Sequence, residues 1–265
     1  NSISHNNVKA LYYDADKEII WIGTHLGGLN KLDIRSGHFT HYRMEEGNPN
    51  TLPSDIIRDI IPYKSLLIIA TQNGVCLFDP ANGQCQQLFK DSKEGKSIKM
   101  VADVTFDSEG TLWIAATGEG VFSYRFDTCR LTNYRHDATN PNRLSNNNVN
   151  NITQDSKGNL WFSTSGSGLD LYRPETNDFE NFDKERNGLA SDCIYETQES
   201  PSSGKLLLIT NEGFSIFNYK NKTFNNYSAE NGFPLTAVNE NALCVTCDGE
   251  IVLGGIQGMI SFHEM

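Results

Sequence analysis

Asp155-Ser156-Lys157-Gly158-Asn159-Leu160-Trp161-Phe162-Ser163-Thr164 is a polar turn followed by a short apolar run built around a tryptophan. Asp107-Ser108-Glu109-Gly110-Thr111-Leu112-Trp113-Ile114-Ala115-Ala116 nearly repeats it, and Ile19-Ile20-Trp21-Ile22-Gly23-Thr24 keeps its second half. Each Trp stands seven residues before a glycine: Gly28, Gly120 and Gly168. Weaker copies place Ile68, Leu207 and Val252 at the Trp position, so the six anchors follow one another at intervals of 45 to 48 residues. A period of that size, carried on short apolar runs and glycine turns, predicts an all-β chain, a β-propeller of four-stranded blades. The repeats fall at about 1–50, 51–95, 96–142, 143–188, 189–232 and 233–265.

Within each repeat the signals keep one order. An inner run such as Asn148 to Thr153 leads to the Asp-Ser-Lys-Gly turn, whose glycine can take positive φ. The Trp run, a Gly-rich turn, a third run (Gly168 to Tyr172), a Thr176-Asn177 or Ser36-Gly37 turn and an outer run (Phe179 to Phe182) follow. Four strands of about five or six residues account for the repeat length. A Trp on the second strand buries on the order of 200 Å² and serves as a wedge between neighbouring blades. Trp21, Ile68, Trp113, Trp161, Leu207 and Val252 are therefore expected to be structural anchors. The last repeat offers inner (Asn241 to Val245), second (Glu250 to Gly254) and third (Met259 to Phe262) runs, and no outer run before Met265. The expectation is one propeller domain over 1–265, a segment of a longer protein, with a seventh blade upstream left open.

Composition narrows the partners. Lys and Arg number 22 against 33 Asp and Glu, a net charge of −11 without a basic cluster. Nucleic acid is not an expected partner, because phosphate binding rests on Lys and Arg releasing counterions. No apolar run approaches the roughly 20 residues of a spanning helix. The six cysteines follow no disulfide framework. Cys76 and Cys85 fall on adjacent strands of one hairpin and their pairing stays open, whereas Cys244 and Cys247 lie three residues apart on a strand and point to opposite faces. No metal site and no cofactor are expected. Gly118-Glu119-Gly120 and Gly166-Ser167-Gly168 lie between two strands, not before a helix, and read as hairpin turns instead of a dinucleotide loop.

The D-x-x-G-x-L-W-[IF] pattern at Asp107 and Asp155 resembles the two-component regulator propeller repeat. Leu52-Pro53-Ser54-Asp55-Ile56-Ile57 and Leu144-Ser145-Asn146-Asn147-Asn148-Val149 look like that family's lead-in to the inner strand. The links Gly47-Asn48-Pro49-Asn50 and Thr139-Asn140-Pro141-Asn142 and the outer Phe39-x-x-Tyr42 strengthen the likeness, which spans the chain. The resemblance implies the periplasmic sensor region of a hybrid histidine kinase, as found in polysaccharide-degrading gut bacteria. It implies an oligosaccharide or its breakdown product as ligand, and an immunoglobulin-like domain, a membrane span and a kinase in the same receptor. A homodimer of the full-length receptor stays open.

The alternatives are a protein-interaction scaffold and a sialidase-like glycoside hydrolase. Asp107-Ser108-Glu109-Gly110-Thr111-Leu112-Trp113 has one residue too many between Asp and Gly for a sialidase Asp-box and lacks its Thr-Trp ending. No catalytic residue is expected in this segment. Ligand contacts are sought at one mouth of the propeller. Two residues before each inner-strand Val or Ile stand Asn6, Asp55, Lys99, Asn147, Asp192 and Thr236, all polar and suited to sugar hydroxyls. His25, Glu119, Glu212 and Gln257 vary within the turns after the second strand, and His136 and Arg143 lie on the long link into repeat four. Variation inside a fixed repeat is where a specific site can be built.

Overall fold

The computed structural model describes residues 1–235 and 237–264. Its strands make six antiparallel sheets, each the blade of a β-propeller. The first sheet holds β1 (Val8–Asp14), β2 (Ile19–Thr24), β3 (Leu29–Asp33) and β4 (His38–Tyr42), and the second β5 (Ile57–Tyr63), β6 (Leu66–Thr71), β7 (Gly74–Phe78) and β8 (Cys85–Gln87). The third has β9 (Val101–Phe106), β10 (Leu112–Ala116), β11 (Gly120–Arg125) and β12 (Arg130–Tyr134). The fourth has β13 (Val149–Gln154), β14 (Leu160–Thr164), β15 (Leu169–Arg173) and β16 (Asp178–Phe182), and one turn of helix, α1 (Lys184–Asn187), follows it. The fifth has β17 (Ile194–Glu199), β18 (Leu206–Thr210), β19 (Gly213–Asn218) and β20 (Thr223–Tyr227). The sixth has three strands among the described residues: β21 (Val238–Val245), β22 (Glu250–Gly255) and β23 (Gly258–His263). In every sheet the strands pair in chain order. Contacts group the chain into two compact units, residues 1–105 with 112–133 and residues 106–111 with 134–265.

The Asp turns that announce the repeat work by local hydrogen bonding. Asp107 Oδ1 accepts the backbone N–H groups of Glu109 (3.0 Å) and Thr111 (2.8 Å), and Asp155 Oδ1 those of Lys157 (3.0 Å) and Asn159 (2.8 Å). A short carboxylate is what such a turn needs, because it reaches its own backbone two and four residues on. Asp155 Oδ2 also accepts the Trp161 indole N–H at 3.1 Å, so the turn orients the anchor. Gly168 closes the other end of the second strand at φ +80°, where an added Cβ would lie 2.1 Å from the Phe182 carbonyl oxygen. Only glycine permits that approach of the third strand to the fourth.

Trp21, Trp113 and Trp161 are at most 3% exposed, and Ile68 and Leu207 are fully buried. Val252 is half-buried. Trp161 of the fourth sheet meets Phe217 and Tyr219 of the fifth repeat edge-on, at ring-centroid distances of 5.9 and 5.1 Å. Trp21 meets Phe78 of the second sheet in the same way at 5.4 Å. In these two places the core is a layer between adjacent blades, seeded by the anchor of one and the third strand of the next. All six cysteines are free thiols; Cys76 and Cys85 lie buried in one such layer, and the Cys85 thiol together with burial pushes the Cys76 thiol well up.

Candidate functional site

Four of the six lead-ins to an inner strand share a plan. The residue three before the inner-strand Val or Ile turns the chain by accepting the backbone N–H two residues on: Ser54 from Ile56 (3.1 Å), Ser191 from Cys193 (3.2 Å), Asn146 from Asn148 (2.9 Å) and His5 from Asn7 (3.1 Å). The next residue holds the incoming chain. Asp55 Oδ1 accepts Met44 N–H (2.7 Å), Asn147 Oδ1 accepts His136 N–H (2.8 Å) and Asp192 Oδ1 accepts Lys184 N–H (2.7 Å). Each donor stands two residues past the end of the preceding outer strand. Three of the six polar positions singled out in the sequence are therefore engaged in clamping the links, each through one oxygen. Asn6 and Lys99 are exposed, and Thr236 lies outside the described residues.

A second polar set, overlooked in the sequence, sits two residues after the same Val or Ile. The inner strands carry a register shift at this point, between Ile57 and Asp59, Val149 and Asn151, and Ile194 and Glu196. A shift of this kind removes a backbone group from the ladder. The neighbouring blade supplies the partner: Asp59 Oδ2 accepts Val104 N–H (3.2 Å), Asn151 Oδ1 accepts Thr197 N–H (2.9 Å) and Glu196 Oε2 accepts Leu243 N–H (3.1 Å). Burial holds the Asp59 carboxyl above its ordinary range, against the pull of its hydrogen bond to Asp103. The signal was available, since five of the six positions (all but Ala10) are Asp, Asn or Glu.

The second unit holds a polar cleft of about 330 Å³, lined by the link 136–145, the turn at Gly166 and Ser167, and the segment from Asn181 through α1 to Asp192. It brings together His136, Arg143 and Asp192 from the sequence candidates and adds Ser145, Asn181, Asp183 and Arg186. The His136 Nδ1–H donates to the Leu144 carbonyl at 3.0 Å, which leaves Nε2 of the neutral ring as the acceptor. Asp183 caps α1 by accepting Arg186 N–H (2.7 Å) and the Arg186 guanidinium (2.6 Å). Arg186 in turn donates to the Asn181 carboxamide oxygen. That pairing holds the Asp183 carboxyl below its usual range although burial opposes it.

Beneath the cleft floor lies Asp170, which has no exposed surface. Its carboxylate accepts Ser145 N–H (2.8 Å) and Asn181 Nδ2–H (2.8 Å), and burial raises its pKa to about 6. Asp170 thereby fixes two lining residues. Arg143 is exposed, and its guanidinium has no hydrogen-bonded or ion-paired partner among the described residues. The cleft presents a free guanidinium, an imidazole, amide and hydroxyl groups and a carboxylate with one oxygen committed to the backbone. Such a set can bind and orient a polar ligand.

The remaining candidates are not among the residues that line this cleft. Glu212 is exposed and pairs with Lys184 at 3.3 Å. Glu119 is half-buried and Gln257 exposed, each on the turn after its second strand. The His25 ring lies tilted to that of His5 at 6.4 Å, and its Nδ1 is buried with no hydrogen-bond partner among the described residues.

The chain matches the family model described as the two component regulator propeller over residues 2–25 and 143–166, which carry the lead-in, inner and second strands of the first and fourth repeats. No curated protein matches the chain in sequence. Among solved structures, the extracellular domain of a hybrid two component system of B. thetaiotaomicron has a TM-score of 0.81 at 21% identity, covering 98% of this chain and 34% of that one. The extracellular domain of a one component system of B. thetaiotaomicron has a TM-score of 0.60 at 19% identity, covering 98% of this chain and 42% of that one. Virginiamycin B lyase of Staphylococcus aureus shares the fold with a TM-score of 0.68 at 12% identity, over 100% of this chain and 86% of that one. This chain spans between a third and a half of the length of the two component-system proteins. The resemblance drawn from the Asp turns and lead-ins is therefore met by the family model in two segments of the chain, and the chain shares the fold of these extracellular domains.

Proposed function

We propose that the chain is a non-catalytic ligand-sensing module on the extracytoplasmic, periplasmic side of a two-component receptor, and that it binds an oligosaccharide or polysaccharide breakdown product in the cleft beside Arg143. The observation that carries the reading is the cleft itself: an unpaired guanidinium beside side chains already oriented by buried hydrogen bonds. Preorganised donors and acceptors in a concave setting are what sugar hydroxyls require. No helix among the described residues is long and apolar enough to cross a membrane, which fits a module outside one. The receptor's immunoglobulin-like domain, membrane span and kinase belong to the rest of the polypeptide. Ligand binding acts by a rigid-body change passed to those parts.

Calorimetric titration with neutral and acidic oligosaccharides tests this. Binding by at least one member is expected, weakened tenfold or more in Arg143→Ala, whose side chain is exposed and makes no hydrogen bond among the described residues. Absence of binding across the panel, or affinity unchanged in the variant, would reject the site. The similarity to a lyase gives a second reading, chemical turnover, and products appearing in the same mixtures would favour it.

A further inference from the structure

Two repeats meet one structural need with different side chains. In the first sheet Asn30 stands opposite Ile22 on β2 and His41 on β4, and in the fourth Asp170 stands opposite Phe162 on β14 and Asn181 on β16, so the two residues hold the same place. Neither has any exposed surface. Each accepts the backbone N–H of a lead-in serine, Ser4 at 2.9 Å and Ser145 at 2.8 Å, and each accepts from the side chain across the outer strand, His41 (2.8 Å) or Asn181 (2.8 Å). A neutral amide suffices at Asn30, whose Nδ2–H goes to the Ile22 carbonyl at 3.3 Å. The fold therefore does not call for an ionisable group at residue 170, and burying a carboxylate costs free energy that an amide would not. A buried, perturbed carboxyl under a cleft is a mark of function.

The two oxygens of Asp170 divide the work. Oδ2 takes Ser145 N–H and Oδ1 takes Asn181 Nδ2–H. A proton on either oxygen puts a donor where a lone pair was, so one of the two partners must give way. Ser145 offers a main-chain group fixed in the link, whereas Asn181 Nδ2 has a second acceptor in the Ser167 carbonyl at 2.7 Å, and Asn181 is the one to yield. Its carboxamide oxygen accepts the Arg186 guanidinium, so Arg186 is loosened with it. The ionisable groups of the cleft around Asp170 are Arg186 and Asp183 at α1, His136 and Arg143 on the link, and Asp192; the strands on either side place only Phe162 and Asn181 opposite it. Burial raises the carboxyl, the bonds from Ser145 and Asn181 and the charge of Arg186 pull against it, and the balance stands at about 6.

We propose that Asp170 is a positioning residue that couples proton uptake to ligand release in the cleft: the ionised carboxylate holds Ser145, Asn181 and, through Asn181, Arg186 in their binding arrangement, and the protonated carboxyl lets Asn181 and Arg186 go. This rests on the cleft being the ligand site. The module then reports ligand and acidity together. With only the ionised form binding, affinity falls about tenfold as pH drops from 7 to 5, and binding expels the proton.

The first test uses the whole chain and protons alone, in an NMR titration between about pH 4 and pH 8. The Asp170 carboxyl carbon, the Ser145 amide, the Asn181 carboxamide and the Arg186 Nε–H are expected to move together with a midpoint near pH 6, and the Arg186 Nε–H to exchange faster below it. In Asp170→Asn, which keeps every other ionisable group of the cleft, His136 included, the shared transition should vanish. Circular dichroism checks the fold of the variant, and the Asp170 carbon of the native chain decides the matter if that fold is lost. Calorimetry with the neutral and acidic oligosaccharides at pH 7 and pH 5 should then show native affinity about tenfold lower in acid and the variant's affinity equal at both. An Asp170 midpoint below about pH 5, a transition at Asn181 and Arg186 that survives in Asp170→Asn, or native affinity independent of pH would each overturn the coupling. Absence of binding at pH 7 with the shared transition intact would instead reject the cleft as the ligand site, and the coupling with it.

Discussion

Asp170 lies between Leu169 and Leu171 on β15, and burial places its pKa at about 6 in the folded protein against an ordinary 3.8. A carboxyl whose folded pKa is raised favours folding in its protonated form. Its contribution is complete below about pH 4 and is lost as pH rises through about 6, a swing of roughly 3 kcal/mol. Urea unfolding of Asp170→Asn and the native chain at pH 4 and pH 7 should show their stability difference moving by about that amount in favour of the variant; an unchanged difference would mean that Asp170 is not desolvated as described. Trp161 makes a different prediction. It is fully buried against rings of the next repeat, so Trp161→Ala should cost about 3 to 5 kcal/mol in the same measurement.

The turns carry testable consequences at the scale of the strand pair. Asp155→Ala removes two backbone partners and the partner of the Trp161 indole, and a loss of about 1 to 3 kcal/mol is expected in denaturant unfolding. Gly168→Ala combines a left-handed backbone with a clash against the Phe182 carbonyl, so about 2 kcal/mol or more should be lost, with the fraying read by amide exchange in β15 and β16. These elements were legible in the sequence because their causes are local: an Asp reaching its own backbone, a glycine at positive φ, an indole at a fixed step. The clamps at Asp55, Asn147 and Asp192 were visible as polar positions but not as clamps, since their partners lie eight to eleven residues back along the chain. The stitching residues Asp59, Asn151 and Glu196 left a readable signal in their recurrence two residues after the inner-strand Val or Ile, but the register shift that gives the signal its meaning is seen only in the paired strands.

At the level of the whole chain, the period of 45 to 48 residues announced the propeller, and the six sheets follow it. The cleft was only partly legible. His136, Arg143 and Asp192 stood out one by one, whereas Asn181 and Arg186 join them through the packing of the fourth repeat's outer edge against the link before it. Asp170 carried a readable signal, a carboxylate in Leu169-Asp170-Leu171, whose meaning appears only with the hydrogen bonds it makes to the cleft floor. Several of the fold's polar positions hold blades and links together, and the proposal above assigns the ligand to the cleft at Arg143. Hydrogen exchange on the chain with and without the tightest-binding oligosaccharide measures this most directly: protection is predicted at residues 136–145 and 181–192, and protection confined to other links, or none at saturation, would contradict it.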